Sequence, residues 1–288
     1  METRTDCLPC FLRQALIALD LIGVDESGKR SVLSEILPVI SATDFSRSPA
    51  FTTSILHRKI REKLGCDPYD GVKGAYNGLA LELYPLLQRR VTASPDPLWT
   101  AARMAIAGNI IDFGIFREFE LEQTIERALS SKLAIDHYRK FEALCAPSKR
   151  LLYLFDNAGE IVFDLLLVEV LLARGLDVTG VVKGGPVIND ATFEDARQVG
   201  LTERIRVISN GSDDVGTWLP GCSEEFHGEM ERTDLILSKG QANFETLYLE
   251  QPDAFYLFQA KCDVLASVIG VEKRSMMLAT DWGRLVQV

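Results

Sequence analysis

The feature that most constrains this chain is a change of hydrophobic rhythm after Lys149. From there, short apolar runs alternate with helix-length segments, the pattern of consecutive βαβ units and a parallel sheet. Residues 151–155, 178–182, 205–208, 235–237 and 255–258 read as strands, with 275–279 as a last one. Residues 161–173, 191–199, 243–249 and 263–269 read as intervening helices. Before this point, residues 9–145 carry mainly helical spacing. In residues 10–21, for example, Leu12, Ala15, Leu16 and Leu19 form one apolar stripe. Clusters of Gly, Pro, Asp and Ser break the helical half at 23–28, 42–49, 65–71 and 92–97. The expected fold class is α/β: a doubly wound, mainly parallel sheet in a Rossmann-like three-layer core, with an N-terminal all-helical lobe. The expected division is a helical lobe over 1–100 and a catalytic core over 101–288.

Each strand runs into a polar or glycine-bearing segment. These are Asp156-Asn157-Ala158-Gly159-Glu160, Lys183-Gly184-Gly185, Asn210-Gly211-Ser212-Asp213-Asp214, Ser238-Lys239-Gly240 and Gln259-Ala260-Lys261-Cys262. In an open parallel sheet the carboxyl ends of the strands share one edge, and ligands bind in the crevice there. Asp156 and Asn157, with Asp190 after the next strand, offer oxygen donors that suit hard divalent cations. Singly, each suits a helix cap. His57, His137 and His227 are scattered and show no zinc-ligand spacing. Lys183 and Lys239 each precede glycine, where a cation and exposed N–H groups suit a phosphate group. Glu160 falls in a first helical turn, where a carboxylate is favoured in any case.

Bulk properties narrow the partners. A net charge of −10 over 288 residues argues against an extended nucleic-acid footprint, which needs clustered Lys and Arg. With no export signal and no apolar stretch long enough to span a bilayer, the expectation is a cytoplasmic protein without membrane contact and with reduced cysteines. Cys7-Leu8-Pro9-Cys10 has the spacing of half a metal site or of a redox pair, and Cys262 is a distant thiol that could complete it. Asn109 and Asp112 stand in another polar island, Gly108 to Gly114.

Five ordered blocks carry a family resemblance: Cys7 to Cys10, Gly108 to Asp112, Asp156 to Glu160, Lys183 to Asp190 and Ser238 to Glu245. Together they resemble the DUF89 family of metal-dependent damage-control phosphatases, in its branch with an N-terminal CxxC. The resemblance covers nearly the whole chain. It implies a phosphoric monoester hydrolase acting on small phosphometabolites, such as sugar phosphates and damaged or side-product phosphate esters. It also implies a divalent cofactor (Mn, Mg, Ni or Co) held by Asp156, Asn157 and Asp190, with Asp156 and Lys239 catalytic and Lys239 binding phosphate. Glu160, Lys183, Asn109, Asp112 and Lys261 complete the candidate substrate site. Lys261 stands where other branches carry a basic residue, although this chain reads Lys261-Cys262-Asp263 there. The alternatives are a nucleotide-cofactor enzyme such as a methyltransferase, which lacks its glycine fingerprint here, and a non-enzymatic interaction protein stabilised by metal at the CxxC.

Overall fold

The computed structural model describes residues 1–110 and 118–282. Six helices come first: α1 (Cys7–Leu21), α2 (Glu26–Ser41), α3 (Pro49–Leu64), α4 (Asp70–Thr92), α5 (Pro97–Ile110) and α6 (Glu118–Ser130). A two-residue strand β1 (Ile135–Asp136) and helix α7 (Tyr138–Cys145) lead into the alternating region. That region comprises β2 (Arg150–Leu154), α8 (Glu160–Ala173), β3 (Asp177–Val182), α9 (Phe193–Gln198), β4 (Arg206–Ser209), α10 (Glu224–Arg232), β5 (Leu235–Lys239), α11 (Gln241–Leu247), β6 (Phe255–Gln259), α12 (Asp263–Ile269) and β7 (Met276–Ala279).

The expected breaks coincide with the gaps between the first five helices, and local chemistry explains why. Asp25 caps α2 by accepting from the Gly28 N–H at 2.7 Å. Ser48 and Pro49 open α3, and Gly65 closes it in the left-handed conformation.

The sheet order is β1-β7-β6-β5-β2-β3-β4. Strands β2 to β6 run parallel, whereas β7 pairs antiparallel with β6, and β1 joins β7 in parallel. The chain builds outward from β2 through β3 and β4, then returns to lay β5 and β6 on its other side. The switch point therefore falls between the carboxyl ends of β2 and β5, the place where ligands enter such folds. Three elements differ from the sequence reading. β1 lies inside the stretch read as helical, because two residues are too few for a visible alternation. α10 occupies the connection before β5, where no helix was expected. α11 starts two residues before the expected position, directly after Gly240.

α8 is the keystone of the packing. Every residue from Glu160 to Val168 is buried, because the helix rests on the sheet and is covered by α4 and α5. Burying side chains such as Phe163, Leu166 and Leu167 is worth roughly 1.5–3 kcal/mol each. Gly108 lets α5 come this close, since a Cβ there would stand 2.9 Å from Cβ of Phe163. That contact also delivers the next residue, Asn109, to the edge of the sheet.

Candidate active site

Asp156 leaves the end of β2 next to the connection that follows β3. Its carbonyl accepts from Ala191 N–H at 2.7 Å, and Ala158 N–H donates to the Asn189 carbonyl at 2.9 Å. These bonds set Asn157 opposite Asp190 in an isolated antiparallel bridge. Asp156, Asn157 and Asp190 thus meet through the backbone. Just before them, Ile188 adopts a φ of 45°, a strained value for a β-branched residue that occurs where the surrounding structure enforces it.

Two amides organise the carboxylates. Asn109 Nδ2 donates to Asp156 Oδ2 at 3.0 Å and to Glu160 Oε2 at 2.9 Å. Asn157 Nδ2 donates to the same two oxygens at 2.7 and 2.9 Å. Burial, then the charges of Glu160 and Asp190, push the Asp156 carboxyl up to about 8. Burial acts on Glu160 in the same direction, but the charges of Lys239 and Lys261, with hydrogen bonds from Lys239 and Asn109, together outweigh it and hold this carboxyl below its usual range. Asp190 is also raised by burial, and Lys183 Nζ, 3.4 Å from Asp190 Oδ2, partly offsets it. That separation is an ion pair without hydrogen-bond geometry, so Asp190 Oδ2 has no hydrogen-bond partner among the described residues. Lys183 instead donates to the carbonyl of Gly216.

Lys239 differs from the phosphate ligand expected at the end of β5. It is fully buried, and its ammonium donates to Glu160 Oε1 at 2.7 Å, Asp164 Oδ1 at 2.6 Å and the Ala105 carbonyl at 2.9 Å. All three N–H groups are engaged inside the protein. Tyr153 donates to the same Asp164 oxygen at 2.7 Å. Lys261, by contrast, is exposed on the cleft, and its positive charge acts on both Asp156 and Glu160.

The cleft is a cavity of about 430 Å³ lined by Asn109, Asn157, Glu160, Ile188, Gln259 and Lys261, with Gln14 and Ile17 of α1 forming one wall. A larger cavity of about 760 Å³, bordered by Arg47, Phe51 and Trp218, shares none of its lining residues and none of the carboxylate cluster. Cys7 and Cys10 lie on α1 and Cys262 caps α12, outside the carboxylate cluster. Asp112 lies outside the described residues.

The sequence reading missed four residues that support the site. Asp164 sits one turn beyond Glu160, and its signal is a lone carboxylate in the apolar run Ile161 to Val168. Asn77 of α4 accepts from Gly159 N–H at 2.7 Å and donates to Asp195 at 3.0 Å. Lys73, one turn earlier, pairs with Asp195 at 2.7 Å. Together they clamp the start of α8 to α9.

The donor set fits a hard divalent cation. Among the described residues no cluster of three His, Cys, Asp or Glu is suited to a metal. Two carboxylates and an amide suffice for an ion such as Mg²⁺, which keeps several waters and takes the rest of its shell from substrate phosphate. The Asp190 Oδ2, which takes no hydrogen bond among the described residues, and the missing Cβ of Gly240 beside Asp156 leave donors and room for it.

A mainly parallel sheet with carboxylates, amides and lysines at its switch point is the architecture of an enzyme for small polar ligands. Residues 3–277 match the model of the damage-control phosphatase ARMT1-like domain. An uncharacterized protein of Methanocaldococcus jannaschii is 36% identical over 284 residues, covering 94% of this chain and 93% of that one. A damage-control phosphatase of Archaeoglobus fulgidus is 34% identical over 282 residues, covering 94% and 96%. The crystal structure of a DUF89 family protein from Pyrococcus horikoshii superposes with a TM-score of 0.91 at 30% identity, covering 98% of this chain and 99% of that one. The chain belongs to the ARMT1-like, DUF89 family of damage-control phosphatases, which are metal-dependent enzymes.

Proposed function

We propose that the protein hydrolyses phosphate monoesters of small metabolites, with a core over 101–288 that holds Mg²⁺, Mn²⁺, Co²⁺ or Ni²⁺ through Asp156, Asn157 and Asp190. The observation that carries this reading is the backbone pairing of Asn157 with Asp190, which joins an Asp-Asn pair to a second buried Asp whose Oδ2 has no hydrogen-bond partner among the described residues. A divalent cation bound there supplies charge neutralisation at phosphate oxygens and a more acidic water.

The remaining chemistry belongs to the chain. Lys261, exposed at the mouth, receives the phosphate dianion electrostatically. Asn109 and Asn157 hold Asp156 and Glu160 in fixed orientations, so little reorganisation accompanies the reaction. Lys239 acts from beneath as the counter-ion that keeps Glu160 ionised, without touching the substrate. The cleft volume suits a small phosphorylated metabolite and not a folded macromolecule.

The test is phosphate release from a panel of sugar phosphates and an aryl phosphate with each divalent metal, for wild type and Asp156→Ala. Metal-dependent release that falls by at least a hundredfold in the variant is expected. Release that persists in Asp156→Ala, or that needs no metal, would refute the assignment.

A further inference from the structure

The cysteines that the phosphatase reading leaves unused lie on the two segments that wall the cleft. Cys7 and Cys10 occupy the first turn of α1, and the same helix presents Gln14 and Ile17 to the cavity one and two turns later. Cys262 directly follows Lys261 and caps α12, accepting from Leu265 N–H at 3.4 Å. Cys7 and Cys262 pack into one apolar cluster. Two glutamines connect the thiols to their surroundings. Gln14 Nε2 donates to Cys10 Sγ at 3.7 Å, while its carbonyl oxygen is buried without a hydrogen-bond partner among the described residues. Gln241 Nε2 donates to Cys262 Sγ at 3.6 Å and to Glu245 at 2.6 Å, and its oxygen accepts from the Lys261 backbone N–H at 2.9 Å.

Three residues apart on one helix, Cys7 and Cys10 have Cα atoms about 5 Å apart, inside the range a disulfide spans. Cys10 reaches the surface and Cys7 lies beneath it, an arrangement of one attacking and one resolving thiol. Loss of water around the sulfurs pushes both thiols up from their ordinary range, so both are protonated at neutral pH and each must lose its proton to react.

We propose that Cys7 and Cys10 are a reversible dithiol–disulfide pair that adjusts the wall of the phosphatase cleft through Gln14. The co-reactant is a small-molecule disulfide of the glutathione class. The Cys10 thiolate, its proton released to solvent, attacks one sulfur of that disulfide and expels a thiolate, which takes up a proton. The Cys7 thiol then gives up its proton and attacks Cys10 Sγ in the mixed disulfide; the protein S–S bond forms as the Cys10–small-thiol bond breaks, and the second small thiolate leaves and takes up that proton. Two protein thiols are oxidised and one small disulfide is reduced to two thiols. Drawing Cys10 Sγ towards Cys7 removes the acceptor of the Gln14 amide, and the amide turns within the cleft wall. The bond itself is independent of the catalytic assignment; its effect on turnover rests on the phosphatase reading.

The experiment incubates the full-length protein with defined ratios of oxidised and reduced glutathione. It reads the mass of the peptide containing Cys7 and Cys10, bound zinc, and the KM and kcat for an aryl phosphate. Expected is a reversible loss of two hydrogens in that peptide, absent in Cys10→Ser, with KM changed at least threefold and kcat changed less. In Gln14→Ala the disulfide forms and KM no longer responds. No intrapeptide disulfide at any ratio overturns the proposal. So does stoichiometric zinc released only by thiol modification, which would make the cysteines a structural metal site. If the disulfide forms and kinetics do not change, the coupling to the cleft is overturned while the phosphatase reading stands. Absence of all phosphatase activity in the reduced protein would instead refute that reading, and the mass result remains separately readable.

Discussion

A Cβ placed on Gly240 would fall 2.0 Å from Oδ2 of Asp156. The two residues lie just beyond the carboxyl ends of adjacent parallel strands, β5 and β2, so their closeness comes from the switch in strand order. Gly240 also has a φ of 83°, a conformation that costs other residues about 1 kcal/mol or more. Gly240→Ala is therefore expected to displace the Asp156 carboxylate and lower kcat/KM by at least a hundredfold, with a smaller loss of thermal stability. Steady-state kinetics beside a melting curve checks this. Wild-type activity in the variant would show that the close fit around Asp156 has no catalytic value.

Lys239 distinguishes a structural cation from a phosphate ligand. Replacing it with Met leaves Glu160 and Asp164 buried without their common counter-ion. Breaking such a buried arrangement costs on the order of 3–5 kcal/mol. The expected outcome is a large fall in the urea midpoint. Lys261→Met, at the exposed mouth, should leave the midpoint within error and raise KM. A Lys239→Met protein of normal stability and raised KM would return Lys239 to the phosphate-binding role expected from the sequence.

His57 predicts an acid limit to stability. Burial, followed by the nearby Arg61 guanidinium, holds the imidazole down to about 4 from an ordinary value of 6.5. The folded state therefore keeps His57 neutral while the unfolded chain binds a proton below pH 6.5. The stability contributed by the neutral ring is complete above pH 6.5 and is lost as pH falls through 6.5 towards 4, by up to about 3 kcal/mol. His57→Phe, against Tyr69 with ring centroids now 6.0 Å apart, should remove that part of the slope. Urea unfolding of both proteins between pH 7 and 4.5 measures it, and parallel curves would contradict the assignment.

The sequence made the strand ends legible because each apolar run stops abruptly at polar residues. Asp156, Asn157 and Asp190 could be placed on one edge from that pattern and from the family blocks. Sequence spacing did not reveal which lysine faces solvent. Lys183, Lys239 and Lys261 all stand at or just after strand ends, yet only the fold shows Asp164 and the Ala105 carbonyl enclosing Lys239. Asn77 and Lys73 were hidden for a similar reason: their partners, Gly159 and Asp195, lie more than eighty residues away in the chain, and no local period reports such a contact. The reversal of β7 was equally silent, since a strand buried on both faces reads the same in either direction.

The enclosure of α8 bears on how such a protein can diversify. Glu160 and Asp164 are anchored on a stretch with no side facing water, where a change of volume disturbs sheet, α4 and α5 together. The opposite bank of the cleft, formed by half-buried and exposed positions of α1 and by Gln259 and Lys261, can accept substitutions without reopening the interior. Descendants of this fold are thus free to exchange one phosphorylated metabolite for another at the rim while inheriting the buried carboxylate cluster intact.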